Sequence, residues 1–200
     1  MDYRRIFGQQ NITVLVLAGV VVSSLFQSLL SIVKTLADTE DALPSITFWL
    51  MGSLGKVSLN DLAIALPSVL VSLAALFFFR HQIDTLAAGE EEAAAMGVNV
   101  GAVKIAVVSA STLMTVSAVS ICGIVGWVGM VVPHIARLLV GASYQKLSAA
   151  SLLIGGFFLL MIDNIIRGIG AGTLPLGVLT SLVGTPVFVV LLTQARKAWN

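Results

Sequence analysis

Runs of about 20 apolar residues, each as long as the hydrocarbon core of a bilayer is thick, recur from one end of this 200-residue chain to the other. They fall at 11–34, 62–79, 103–120, 124–140, 147–166 and 174–193. Unbroken runs of this length indicate helices; the strands of an outer-membrane barrel would read as shorter alternating segments. Charged residues make up 10% of the chain and mean hydropathy is +1.01, against roughly a quarter charged in ordinary domains. The expected fold is all-α: a polytopic transmembrane helix bundle of about six spans. Neither an internal repeat nor a low-complexity linker divides it, so residues 1–200 are expected to form one membrane domain. Arg4 and Arg5 precede the first run, but Ile12 to Val33 is too long for the core of a cleaved signal and lacks an Ala-x-Ala-like site after it. It reads as a retained span.

Orientation follows from lysine and arginine. Six spans put both termini on one side, together with Arg80, Lys104, Arg137 and Lys146. With Arg4, Arg5, Arg196 and Lys197 that side holds eight of the 11 basic residues, leaving Lys34, Lys56 and Arg167 opposite. The positive-inside rule places the richer side in the cytoplasm. The outer connection after the first span begins acidic (Asp38, Glu40, Asp41). It turns aromatic at Phe48 and Trp49, as a segment resting on the membrane surface would.

One soluble-looking island interrupts the pattern, from Leu86 to Lys104. Gly89 is a permissive helix start, and Glu90, Glu91 and Glu92 follow at the positive end of the helix dipole. Ala93 to Met96 favour helix, and Gly97 is a natural left-handed stop. A short, capped helix therefore stands in a cytoplasmic loop. It fits a docking element for a soluble partner, and it equally fits a linker that is merely helical.

Chemistry-bearing motifs are scarce. There is no Gly-x-x-x-x-Gly-Lys-Ser/Thr loop for nucleotide phosphates, no Gly-x-Ser-x-Gly elbow and no His-Glu-x-x-His pair. His81 and His134 lie on different segments and Cys122 stands alone inside an apolar run, so no metal site is expected. A net charge of +1 offers no footprint for nucleic acid. The chain does not read as an enzyme, and no cofactor is expected. Asp163 is the single acidic residue deep in a span, and Arg167 follows it at the spacing of an intrahelical ion pair. Ion-coupled transporters carry ionisable relays near the midplane, so any uphill transport here draws its energy from another polypeptide. A secondary transporter or channel working without an ATPase is the competing reading.

Three further patterns concern packing or a path. Gly19, Ser23 and Gln27 step by four along the first span, with Ser24, Ser28 and Ser31 alongside. Small residues at this spacing let helices approach, and hydroxyls can bond across the contact; the Gln27 amide needs partners that lipid lacks, which a wet cavity would supply. Gly123, Gly126 and Gly129 recur every third position, which reads as a close-packed or locally unwound segment, and Pro133 should bend the span that follows. Gly170 to Gly177 opens the last span with Pro175 in its first turn. Arg167, just before it, suits either headgroup anchoring or a carboxylate from an external protein.

Five stretches, in order, carry a resemblance to a known family. They are Leu17-Ala18-Gly19-Val20; Phe48-Trp49-Leu50-Met51-Gly52-Ser53-Leu54; Leu86 to Val98; Gly123 to Arg137; and Leu174-Pro175-Leu176-Gly177-Val178-Leu179-Thr180, followed by Gly184-Thr185-Pro186-Val187-Phe188. With these the chain resembles the permease subunits of bacterial ABC importers for iron–siderophore complexes, haem and cobalamin, over nearly its whole length. The resemblance implies a cytoplasmic-membrane protein and a dimer with a second permease subunit, the path lying between the two. A separate ATPase subunit would grip the helical loop 86–101 through Leu86, Gly89, Glu90, Ala94, Met96, Gly97 and Val98. A periplasmic or lipid-anchored binding protein would dock acidic residues on arginines such as Arg167. Family members have about ten spans, so the first span here looks like their fifth. The expectation is a C-terminal part: a truncated frame, a fragment, a split subunit or a remnant that no longer transports. Thr173 also stands where many relatives carry a glutamate before Leu-Pro.

Overall fold

The computed structural model describes residues 12–55, 57–169 and 174–197. Helix is the only regular secondary structure among the described residues. In chain order the helices are α1 (Ile12–Leu36), α2 (Ala42–Met51), α3 (Leu59–Phe78), α4 (Arg80–Ala88), α5 (Glu90–Ala95), α6 (Val100–Cys122), α7 (Val128–Val140), α8 (Tyr144–Gly168) and α9 (Leu176–Lys197). They fall into two compact units, one up to Thr47 and one from Phe48 onward. Four helices, α1, α3, α6 and α8, are long and apolar enough to cross a membrane, with mean hydropathy of 1.9 to 2.1.

In the first unit the hydroxyls of α1 turn inward on their own backbone. Ser24 donates to the Val20 carbonyl, Ser28 to Ser24, Ser31 to Gln27 and Thr35 to Ser31, all at 2.8–2.9 Å. Back-bonding of this kind competes with cross-helix bonding, and these four hydroxyls donate within α1. Gly19, Ser23 and Gln27 are all exposed.

In the second unit α3 and α6 form the principal helix pair. Small residues allow the approach: Ala65, Ser72, Ala110 and Ser117 are all buried. Here a hydroxyl contact does cross between helices, with Ser68 Oγ 2.7 Å from Ser117 Oγ. α3 starts at Leu59, earlier than the span predicted from 62, because Ser58 and Asp61 form a reciprocal capping box. α7 and α8 pack together and α9 packs on both. Their core is Ile162, Ile166 and Leu176, with Phe158, Leu159, Val125 and Leu179 against it.

Two expectations need correction. The predicted fourth span at 124–140 becomes helical only at Val128, and the 13 residues of α7 cover about 20 Å, short of the roughly 30 Å of hydrocarbon. The cause is local. Gly123 has φ 73° and ψ −166°, a region that only glycine occupies without strain, and Trp127 has φ 66°. The second correction is at the island, because α4 already holds Leu86 in a helix where a loop from 86 was expected. The last span also starts slightly later, with Pro175 immediately before α9 and its carbonyl accepting from the Val178 and Leu179 amides.

The unwound stretch is fixed by backbone crossing backbone. Ser53 N–H donates to the Cys122 carbonyl and Leu176 N–H to the Gly52 carbonyl, both at 2.9 Å. A Cβ at Gly123 would lie 2.2 Å from the Trp49 carbonyl oxygen, and one at Gly177 2.5 Å from that of Met51. A Cβ at Gly129 would meet nothing within 4 Å. Among the described residues, Gly129 therefore has room for a side chain where Gly123 and Gly177 have none. Gly123→Ala should destabilise the fold by about 1–3 kcal/mol for backbone strain alone and so lower the thermal unfolding midpoint in detergent, while Gly129→Ala should leave the midpoint unchanged or raise it. Equal midpoints for the two variants would refute this assignment.

Candidate coupling and docking sites

The island builds a defined object. Gly89 separates α4 from α5, and Glu90, Glu91 and Glu92 occupy the first turn of α5. Its end is closed by two bonds at 3.0 Å, Gly97 N–H to the Ala94 carbonyl and Val98 N–H to the Ala93 carbonyl. This is the Schellman arrangement, and Gly97 sits at its left-handed position with φ 82°. Asn99 then caps α6 by accepting from the Ala102 N–H at 3.1 Å. The chain thus turns twice within a few residues, with each turn satisfied by its own backbone or by a neighbouring side chain.

Burial divides the segment into an inner and an outer face. Ala93 is fully buried and Leu86 and Val98 partly so, whereas Ala94, Gly97, Glu91 and Glu92 are exposed. Met96 is 63% exposed, an apolar knob beside an acidic helix. Glu90 is tied down instead: Lys104 Nζ on α6 lies 2.6 Å from its Oε1. The coupling residues read from the sequence did not include Glu91, Glu92, Ala93 or Lys104, and a Glu-to-Lys spacing of fourteen residues across a helix break carries no readable signal. Asp84 on α4 was also missed. It accepts from the Tyr144 N–H at the start of α8.

At the other end of α8, Arg167 Nε donates to Asp163 Oδ2 at 2.7 Å. The Arg167 side chain is 61% exposed and that of Asp163 18%. The carboxylate therefore orients a guanidinium whose remaining donors face outward. The core residues Ile162 and Ile166 lie on the same helical turns, so packing fixes the turn that presents the arginine. Residues 170–173, including Thr173, lie outside the described residues.

Between these ends, an open apolar cleft of about 750 Å³ is lined by Leu50, Met51, Ile124, Gly126, Val178 and Ser181, among others. Gly126 and Gly177 both border it, and a Cβ at Gly126 would stand 2.8 Å from Ser181 Oγ. Trp127 is held in its left-handed conformation by a close approach to Gly184 and by the Phe188 ring, whose centroid is 5.3 Å away. Pro133 lies inside α7, flanked by buried Val131, Val132 and Ala136. Of the predicted path residues Gly126 and Gly177 border this cleft, while Gly123, Gly129, Pro133 and Pro175 are not among the residues that border it.

Apolar helices of spanning length, interrupted by a glycine-rich backbone crossing, make this an integral membrane protein. The chain belongs to the FecCD transport family, whose profile matches residues 4–194. It is 35% identical over 191 residues to the molybdate import system permease MolB of Haemophilus influenzae, covering 96% of this chain and 57% of that one. It is 32% identical to the hemin transport permease HmuU of Yersinia pestis (96% and 57%) and 36% identical to the cobalamin import permease BtuC of Halobacterium salinarum (92% and 49%). Among solved structures it resembles a metal-chelate-type ABC transporter in an inward-facing conformation. There the TM-score is 0.88 at 34% identity, over 94% of this chain and 61% of that one. The chain spans about half to three-fifths of the length of these relatives.

The Glu90–Lys104 pair is partly exposed, so it should position α5 more than it stabilises the fold. A double-mutant cycle with Glu90→Gln and Lys104→Met, read by unfolding in detergent, should give a coupling below about 1 kcal/mol.

Proposed function

We propose that this chain forms the membrane-spanning part of an ABC importer permease in the bacterial cytoplasmic membrane, with both termini and α5 inside. The observation that carries this is α5 itself. It is a six-residue helix with a glycine at its start and a glycine stop, its inner face buried through Ala93, and Met96 and two glutamates turned outward. A connecting loop has no need of such a surface; a separate ATPase subunit has. The pairing of Asp163 with Arg167 supports the same reading, since a carboxylate held by its own helix partner is poorly placed to relay protons.

The other partners follow. An extracytoplasmic binding protein meets Arg167 and the exposed aromatics Phe48 and Trp49. A second permease subunit faces the cleft along α9, with the path between the two. For the cargo we propose an iron–siderophore-type chelate, haem or cobalamin, supported by relatives named for hemin, cobalamin and iron chelatin transport. A relative named for molybdate import makes molybdate the competitor to test.

With Gly97→Val, a β-branched side chain at φ 82° costs about 1–3 kcal/mol and deforms the turn that presents Met96. ATP-driven uptake of a ferric siderophore into proteoliposomes should fall severalfold while membrane insertion and ATP hydrolysis persist. Uptake equal to wild type would remove α5 from the coupling role. Arg167→Glu should weaken capture of the binding protein, measured by co-purification, and leave ATPase co-purification intact.

A further inference from the structure

The start of α8 is held from outside its own helix. A helix N-terminus leaves four N–H groups without intrahelical partners, and a serine at the N-cap ordinarily satisfies one with its own oxygen. Ser143 occupies the N-cap of α8 in the extended conformation that such a bond needs, yet it makes none. Its hydroxyl is turned toward Asp84 Oδ2 at 3.5 Å, and the Tyr144 N–H donates to Asp84 Oδ1. The capping carboxylate thus comes from α4, 60 residues earlier in the chain. Arg80, four residues before Asp84 and correctly spaced to pair with it, stacks on the Phe77 ring at 3.9 Å and donates to the Phe77 carbonyl. Asp84 is left to α8.

What α8 connects makes this bond more than a cap. One residue, Gly89, separates α4 from α5. α8 is an unbroken helix of 25 residues, about 37 Å long. Its last turns carry Asp163 and Arg167, and Ile162 and Ile166 pack on Leu176 at the start of α9. A rigid helix transmits displacement of one end to the other with little loss. We propose that Asp84 is the positioning residue through which movement of the α4–α5 segment is passed to α8, and so to the opposite end that presents Arg167 and supports α9. This rests on the reading of α5 as the ATPase contact.

The test separates link from cap. Asp84→Ala removes both. In the double variant D84A/S143D, a carboxylate at the N-cap of α8 satisfies the helix locally, so the cap returns and the tie to α4 does not. The assembly is purified from membranes through a tag on this chain and placed in liposomes. Labelling by a membrane-impermeant maleimide of the exposed position in N164C is then compared with and without ATP and vanadate, over the background of Cys122. With Asp84 intact, labelling should change with nucleotide. In D84A the change should be lost and the unfolding midpoint lowered. In D84A/S143D the midpoint should recover and the change remain absent. Recovery of the nucleotide-dependent change in the double variant would reduce Asp84 to a cap and overturn the proposal. Absence of any change with Asp84 intact, and no ATPase co-purifying, would overturn the permease reading and this proposal with it.

Discussion

Three stretches of backbone cross where Gly52, Gly123 and Gly177 leave no side chains in the way, and the second unit is organised around that crossing. The end of α2, the end of α6 and the start of α9 come close enough that carbonyl oxygens stand where Cβ atoms would be. Two amide–carbonyl bonds join the three strands of this knot. An unwound segment between apolar helices leaves polar groups that hydrocarbon cannot satisfy, so it is tolerated only where protein covers it. Ser53 and Leu176 supply part of that cover. Once α6 is forced to stop at Gly123, α7 must begin afresh and short, and the open cleft beside α9 follows from where the chain turns.

The α5 segment is built on a different principle. α5 is too short to be stable alone, and each of its ends is fastened by something outside it. The Gly97 turn closes one end, Lys104 holds Glu90 at the other, and Ala93 buries the middle. What remains exposed is an acidic face with a methionine. These fastenings hold six residues as a helix between two turns.

Family membership and local geometry support each other without being the same argument. The FecCD profile and a TM-score of 0.88 fix the class of fold. Relatives at similar identity are named for molybdate, hemin and cobalamin, so ligand identity is not carried by the features they share with this chain. The cleft in this chain is lined mainly by aliphatic side chains and small hydroxyls, which make few directional contacts.

Local signals were legible in the residues themselves. Apolar runs give long helices because the backbone must satisfy itself wherever water is excluded. The α5 boundaries and the Asp163–Arg167 pair lay open to the same reading, because each depends on neighbours within a few residues. Tertiary structure alone decided the rest. It separated Gly123, which carries a crossing, from Gly129, where a Cβ would meet open space among the described residues, although both stand in one glycine period. It placed a cross-helix hydroxyl contact at Ser68 and Ser117, and gave Asp84 and Lys104 partners on other helices. Those outcomes depend on which surfaces meet when helices pack, and sequence spacing records only what lies along one helix.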